Sequence, residues 1–434
     1  MSKTVLATAW PQSVAQEKVS RMEQVVQSYV SLNRFMGSVL VSVNGEILLN
    51  KGYGYANLER RVPNTPATRF RLGSLIKQFT AAALLLMEEQ HKLRIDDSLK
   101  RYFPEAPEAW SGATIFHLLT HTSGIPNFMG SPEFASIGPL PVALDEVMKW
   151  YRGKSLDFQP GEGWSYNSSC YYLLNHIIGR VSGQGYGEFL VENVFKPLGM
   201  NDSGFVANFA PIENSAQSYK VVPNGSMMPF PPTANAVYST TGDLLLWQQG
   251  LVGGKLLPSA AVERMLTPVQ QDYGFGVLVR REKGQRVIKH GSKVEAFSGY
   301  LAYYPDEEMV LAVLGNLFGE ATGEIATKLA EVAHDEEVIL ATERKEIFLP
   351  TQTLAAYAGT YVLTPTFSIR VTLEGGRLMA EATHQPRVPM FAQSETLFFL
   401  KIVDVQLEFF RNEAGEVTHL VLYQDEREIK GVKQ

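Results

Sequence analysis

The residues best suited to chemistry are Ser74 and Lys77, three positions apart in Ser74-Leu75-Ile76-Lys77 at the head of an apolar run that predicts a helix over 74–91. Positions i and i+3 share a helix face, so the hydroxyl and the amine fall within reach of each other. A serine ahead of an apolar helix is ordinarily an N-cap, its oxygen satisfying the first free N–H groups. Lys77 argues against that reading. A capping box wants Glu or Gln at its third position, and a cation in the first turn opposes the helix dipole by roughly 0.3–1 kcal/mol. A lysine desolvated beside a hydroxyl drops below its usual pKa and can take the serine proton, turning a weak nucleophile into an acylating one.

Two further segments supply partners for that pair. Tyr166 follows the Pro160-Gly161 turn and precedes an apolar helix over 170–181 that Gly183 closes. Alone, Tyr166 reads as an aromatic packing back on its own helix. Beside Lys77, the cation and the helix N-terminus favour phenolate, and moving a tyrosine from about 10 toward 7 needs only ~4 kcal/mol. Lys289-His290-Gly291-Ser292-Lys293, ahead of Ala296–Tyr304, reads as a hairpin in a β-meander. Its small residues admit close approach of a ligand backbone, and its free N–H groups can face a cleft; the plain alternative is an edge strand.

In order and type, these three segments resemble the serine β-lactamase and DD-peptidase superfamily, in the branch that holds class C β-lactamases, D-aminopeptidases and β-lactamase-fold esterases. Leu118-Leu119-Thr120-His121-Thr122-Ser123-Gly124-Ile125-Pro126 adds to the resemblance, which runs from about 14 to 341. It implies that Ser74 is acylated, that Lys77 and Tyr166 share the proton transfers, and that the N–H groups of Ser74 and Lys293 hold the oxyanion. It also implies that Ser168, His290, Gly291, Ser292 and Lys293 contact substrate, without a cofactor or metal. The chain departs from the pattern where Ser168 replaces an Asn and Ser292 a Gly, and Ala296 stands where Gly is frequent. His290 occupies a position that takes Lys or His. With an ordinary pKa near 6.5 it is mostly neutral at pH 7, so carboxylate-bearing substrates lose an attraction that Lys would provide.

Composition narrows the rest. The balance of 39 Lys and Arg against 45 Asp and Glu leaves no basic footprint for nucleic acid. The longest apolar stretch, 81–87, is far below the ~20 residues of a membrane span. No secretory leader is visible after Met1, which predicts a cytoplasmic protein as given, or a periplasmic or secreted one if a native signal was removed. The single cysteine, Cys170, permits no internal disulfide and reads as a packing thiol. There is no Gly-x-Ser-x-Gly elbow, Walker loop, dinucleotide fingerprint or His-Glu-x-x-His. His117 and His121 have a metal-compatible i, i+4 spacing, but no carboxylate or cysteine cluster completes a site, so both read as structural hydrogen bonders.

The elements that must position these residues follow from periodicity. A helix over 14–32 leads to strands at 37–43 and 46–52 joined by Asn44-Gly45, a hairpin signal. A helical middle over 74–250 is followed by strands at 273–281, 286–291, 297–304 and 309–314 and a helix at 319–341. Strands from both ends with helices inserted between them predict an α+β fold, its antiparallel sheet flanked by helices, with the cleft between helices and last strands. The expected domains are a hydrolase domain over 1–344 and an antiparallel, barrel-like β-domain over 345–434. The predicted function is a serine acyl hydrolase working through a Ser74 acyl-enzyme, foremost a carboxylesterase. The alternatives are a β-lactamase or D-amino-acid peptidase, and a non-catalytic descendant that binds through the old cleft. The expected partner is a small ester, β-lactam or D-amino-acid peptide, with an oligomer allowed.

Overall fold

The computed structural model describes residues 12–434 except 138–142, 208–209, 223–225, 232–235, 341, 404 and 425–426. The chain forms two compact units. Among the described residues, the first holds those up to Val19 together with Phe35–Leu329, and the second Ser20–Arg34 with Ala330–Gln434. Helix α1, Gln12–Ser31, is the first element among the described residues and agrees with the helix expected over 14–32.

The first unit is built on β1 (Gly37–Val43), β2 (Glu46–Tyr53), β3 (Leu278–Glu282), β4 (Gln285–Val294), β5 (Phe297–Tyr304) and β6 (Met309–Gly315). They form one antiparallel sheet in the order β3-β4-β5-β6-β1-β2, so strands from the two ends of the unit meet at β6 and β1. Asn44 and Gly45 take φ 50° and 79°, the paired left-handed conformations of a tight hairpin turn. Strand β6 is buried at every position, the pattern of a central strand covered on both faces.

Against this sheet lies the helical layer around α2 (Ile76–Glu89). Its residues 77–85 are all buried, so it is a core helix apolar on nearly every face rather than an amphipathic surface one. Phe79 meets Trp247 at 4.5 Å and Phe195 at 5.4 Å between ring centroids, and Trp247 Nε1 donates to Gln78 Oε1 at 2.6 Å. Helix α3 (Ser168–Ser182) ends at Gly183, as its sequence predicts. The middle is not purely helical. A small sheet pairs Phe70–Arg71, Ala236–Ser239 and Gly204–Val206, and Ser218–Val221 pairs with Met227–Phe230. These strands of two to four residues are too short for alternation to announce them.

Three further boundaries differ. The segment from Tyr273 to Val277 is loop rather than strand, and His290 through Lys293 lie inside β4, with the turn falling at Glu295-Ala296. The closing helix, α4 (Ala321–Ala333), is shorter than the expected 319–341. Among the described residues no helix is long and apolar enough to cross a membrane.

The second unit carries β7 (Gly359–Thr364), β8 (Phe367–Glu374), β9 (Arg377–Ala382), β10 (Val388–Pro389), β11 (Phe391–Ala392), β12 (Leu397–Phe399), β13 (Gln406–Arg411), β14 (Val417–Gln424) and β15 (Arg427–Lys433). They pair in the order β10-β9-β8-β7-β15-β14-β13-β12-β11. The two edge strands, β10 and β11, are separated in the chain by Met390 alone, so the sheet must curl back on itself into a nearly closed barrel. Tyr357, Tyr361, Phe398 and Phe409 fill its interior.

Candidate active site

Ser74 sits inside a short 3-10 turn, Gly73–Leu75, that runs directly into α2; Leu75 occupies the N-cap position, without a side-chain cap. The serine hydroxyl is therefore not spent on the helix. Its Oγ lies 3.1 Å from Lys77 Nζ and receives a hydrogen bond from Tyr166 OH at 2.9 Å. The turn is fastened to β4: Ser292 Oγ donates to Leu72 O at 2.5 Å. Gly73 takes φ +48°, and a Cβ there would come within 2.6 Å of Ser292 Oγ and 2.7 Å of Val294 Cβ. Only glycine lets the backbone beside Ser74 approach the strand this closely.

Lys77 is buried, with its ammonium 4.9 Å from the Tyr166 ring centroid and 5.4 Å from that of Tyr171. Burial lowers its pKa from 10.5 to about 8. Tyr166 moves the other way: desolvation raises its phenol above 10, partly offset by the bond to Ser74. The expectation of a phenolate is thus overturned. The Lys77 ammonium is over the ring, and desolvation is the leading cause of the upward shift.

His290 departs from its expected near-6.5 behaviour as well. Its Nδ1 is 2.6 Å from Gly291 O, which can only accept, so Nδ1 carries the proton and Nε2 is the acceptor, 3.4 Å from Tyr273 OH. Burial, reinforced by Lys77, holds the ring to about 4. It stays neutral across the physiological range.

Four of the residues singled out from sequence, Ser74, Lys77, Tyr166 and His290, therefore converge, the rings of Tyr166 and His290 lying 6.2 Å apart. The others have different surroundings. The Lys293 side chain is exposed and paired with Glu320, Gly291 is exposed on β4, and half-buried Ser168 begins α3. Asn167 is the N-cap of α3, accepting from Ser169 N at 2.9 Å and donating to Ile125 O at 2.6 Å. The amide of this motif is thereby committed to the fold. Cys170 is buried 3.5 Å from Ser123 Oγ with its thiol pushed up to about 12, as befits a packing residue. His117 Nδ1 accepts from Thr114 N at 3.1 Å at the start of its helix.

Two contributors escape sequence reading. Tyr273 falls in a segment read as a strand, yet its ring touches those of His121, Tyr166 and His290 at 4.8, 6.2 and 6.1 Å. His121, read only as structural, lies in the middle of this aromatic group, 4.6 Å from Tyr166 and 5.2 Å from Tyr171. Its pairing with His117 was the visible signal, and that spacing pointed to metal rather than to Tyr166.

Residues 22–335 match the Beta-lactamase family model, and residues 343–433 match a domain of unknown function, DUF3471. Penicillin-binding protein 4* of Bacillus subtilis (strain 168) is 31% identical over 452 residues, covering 96% of this chain and 99% of that protein. A D-aminopeptidase of Gluconobacter oxydans (strain 621H) is 27% identical over 302 residues, 64% of this chain and 55% of that protein. Among solved structures, the octameric penicillin-binding protein homologue from Pyrococcus abyssi has a TM-score of 0.68 at 24% identity, covering 96% of this chain and 100% of that one.

Proposed function

The chain belongs to the beta-lactamase family, whose members are generally serine hydrolases, and from that premise we propose that it is a carboxylesterase working through a Ser74 acyl-enzyme. Neutral Lys77 takes the Ser74 Oγ proton as Oγ adds to the substrate carbonyl carbon. The N–H groups of Ser74 and Lys293 receive the oxyanion. As the carbonyl re-forms, Tyr166, a phenol throughout the physiological range, gives its proton to the departing oxygen and regains one from the Lys77 ammonium. Water then repeats the sequence on the acyl-serine, with Lys77 as base and Ser74 as leaving group. Each proton is accounted for without a cofactor.

The observation that carries the ester reading is the neutrality of His290. A buried imidazole titrating near 4 offers no fixed charge to a substrate carboxylate, and the Asn167 amide is turned into the fold. A D-amino-acid amide also lacks a carboxylate, and the likeness to a D-aminopeptidase supports that second reading. A panel of p-nitrophenyl esters, a chromogenic cephalosporin and D-alanyl p-nitroanilide, with intact-mass detection of acylated protein, separates them. Preferential turnover of the neutral esters is expected. Faster turnover of the cephalosporin or the anilide overturns the ester assignment, and absence of both turnover and added mass overturns the enzyme.

A further inference from the structure

Tyr166 stands at the end of an irregular segment, outside the helix that follows it, and needs something to hold its hydroxyl on Ser74. The backbone on both sides of it is held by one residue. Ser165 N donates to His121 O at 3.0 Å, and Asn167 N donates to His121 Nδ1 at 3.2 Å, while the His121 ring lies against that of Tyr166. His121 does this from the left-handed region, φ +61°, a costly conformation for a residue with a Cβ. Because Nδ1 accepts, the proton resides on Nε2, and this buried N–H has no hydrogen-bond partner among the described residues. Two hydrogen bonds and a ring contact thus tie both flanks of Tyr166 to the single residue His121.

We infer that His121 is a positioning residue for Tyr166: its carbonyl and Nδ1 clamp Ser165 and Asn167, so that the phenol is aimed at the oxygen leaving Ser74's substrate. The inference rests on the reading of Tyr166 as the donor to the leaving group. It predicts more than a loss of activity, because a misaimed Tyr166 matters most when the leaving oxygen needs a proton. A p-nitrophenolate departs as a stable anion, whereas an ethoxide does not.

The test compares p-nitrophenyl and ethyl esters of one acid in the wild type, Tyr166→Phe, His121→Gln and His121→Asn. Asn keeps an acceptor oxygen close to the position of Nδ1 and tolerates positive φ, whereas Gln moves its amide outward. His121→Gln should lower kcat/KM, which reports acylation alone, about tenfold more on the ethyl ester than on the p-nitrophenyl ester, following Tyr166→Phe. His121→Asn should restore the wild-type ratio. Equal losses on both esters in His121→Gln, with Tyr166→Phe still selective, would overturn the clamp and leave the reading of Tyr166 standing. Equal losses in Tyr166→Phe itself would overturn that reading. Should His121→Gln not fold, the ring nitrogen shifts of the wild type decide: an Nε2–H tautomer is expected, and an Nδ1–H tautomer ends the proposal.

Discussion

The Ser74 cleft and the barrel of the second unit treat polar groups in opposite ways. In the barrel, buried hydroxyls end on backbone carbonyls: Tyr357 OH donates to Glu395 O at 2.9 Å and Tyr361 OH to Tyr357 O at 2.7 Å. Its charges sit outside in pairs, Arg387 with Glu374 and Glu381, Lys401 and Arg377 with Glu346. In the cleft, Lys77, His121 and His290 are buried together, and no carboxylate is among the groups that set their ionisation. The difference teaches where the first unit surrenders stability. Holding the Lys77 pKa at about 8 against 10.5 costs about 3 kcal/mol whenever the amine is protonated. The cost is full below the folded value and disappears as pH rises from 8 to the unfolded value near 10.5, so the fold should gain stability over that window.

Breaking the cleft side of the comparison should have the largest effect. Ser74→Ala should lose about 10⁴-fold or more in kcat/KM while keeping its circular dichroism spectrum and gaining no acyl mass. A folded Ser74→Ala protein with wild-type turnover would remove Ser74 from the mechanism. Lys77→Met should lose about 10³-fold and, unlike an ordinary core substitution, raise the melting temperature at pH 7 by relieving the buried charge. A lowered melting temperature would show that Lys77 is not paying the desolvation inferred for it.

A smaller effect separates Lys77 from the histidines. Activity on a neutral ester should rise about tenfold per pH unit below the Lys77 value of about 8 and level off above it, because only the neutral amine accepts the serine proton. Since His290 titrates near 4, no second inflection is expected between pH 5 and 7, and one found there by kcat/KM would point to a histidine as the base. The smallest effect belongs to the barrel: Arg387→Ala removes exposed pairs and should leave both kinetics and melting temperature unchanged within error.

What could be read from the residues alone was whatever local spacing encodes. Ser74 and Lys77 declare themselves one turn apart, Gly183 ends its helix, and Asn44-Gly45 turns its hairpin. His290 was visible as a motif residue, but its protonation depends on burial and on Lys77, far away in the chain. Tyr273 and His121 were hidden for the same reason: their places arise only when the loop before β3 and the turn after residue 119 meet Tyr166, and no periodicity records such a meeting. The short strands between α2 and β3 were missed because two to four residues cannot display an alternation.

The meeting of β1 with β6 has a consequence for timing. Gly37 pairs with Gly315, so the sheet cannot close until nearly the whole first unit has left the ribosome. Helix α2 can form early from local contacts, whereas strand pairing across so long a loop comes late. Until β4 arrives, Leu72 has no Ser292 to hold it, and the turn that carries Ser74 is not fastened. The Ser74, Lys77 and Tyr166 contacts therefore assemble against β4 only in the finished unit.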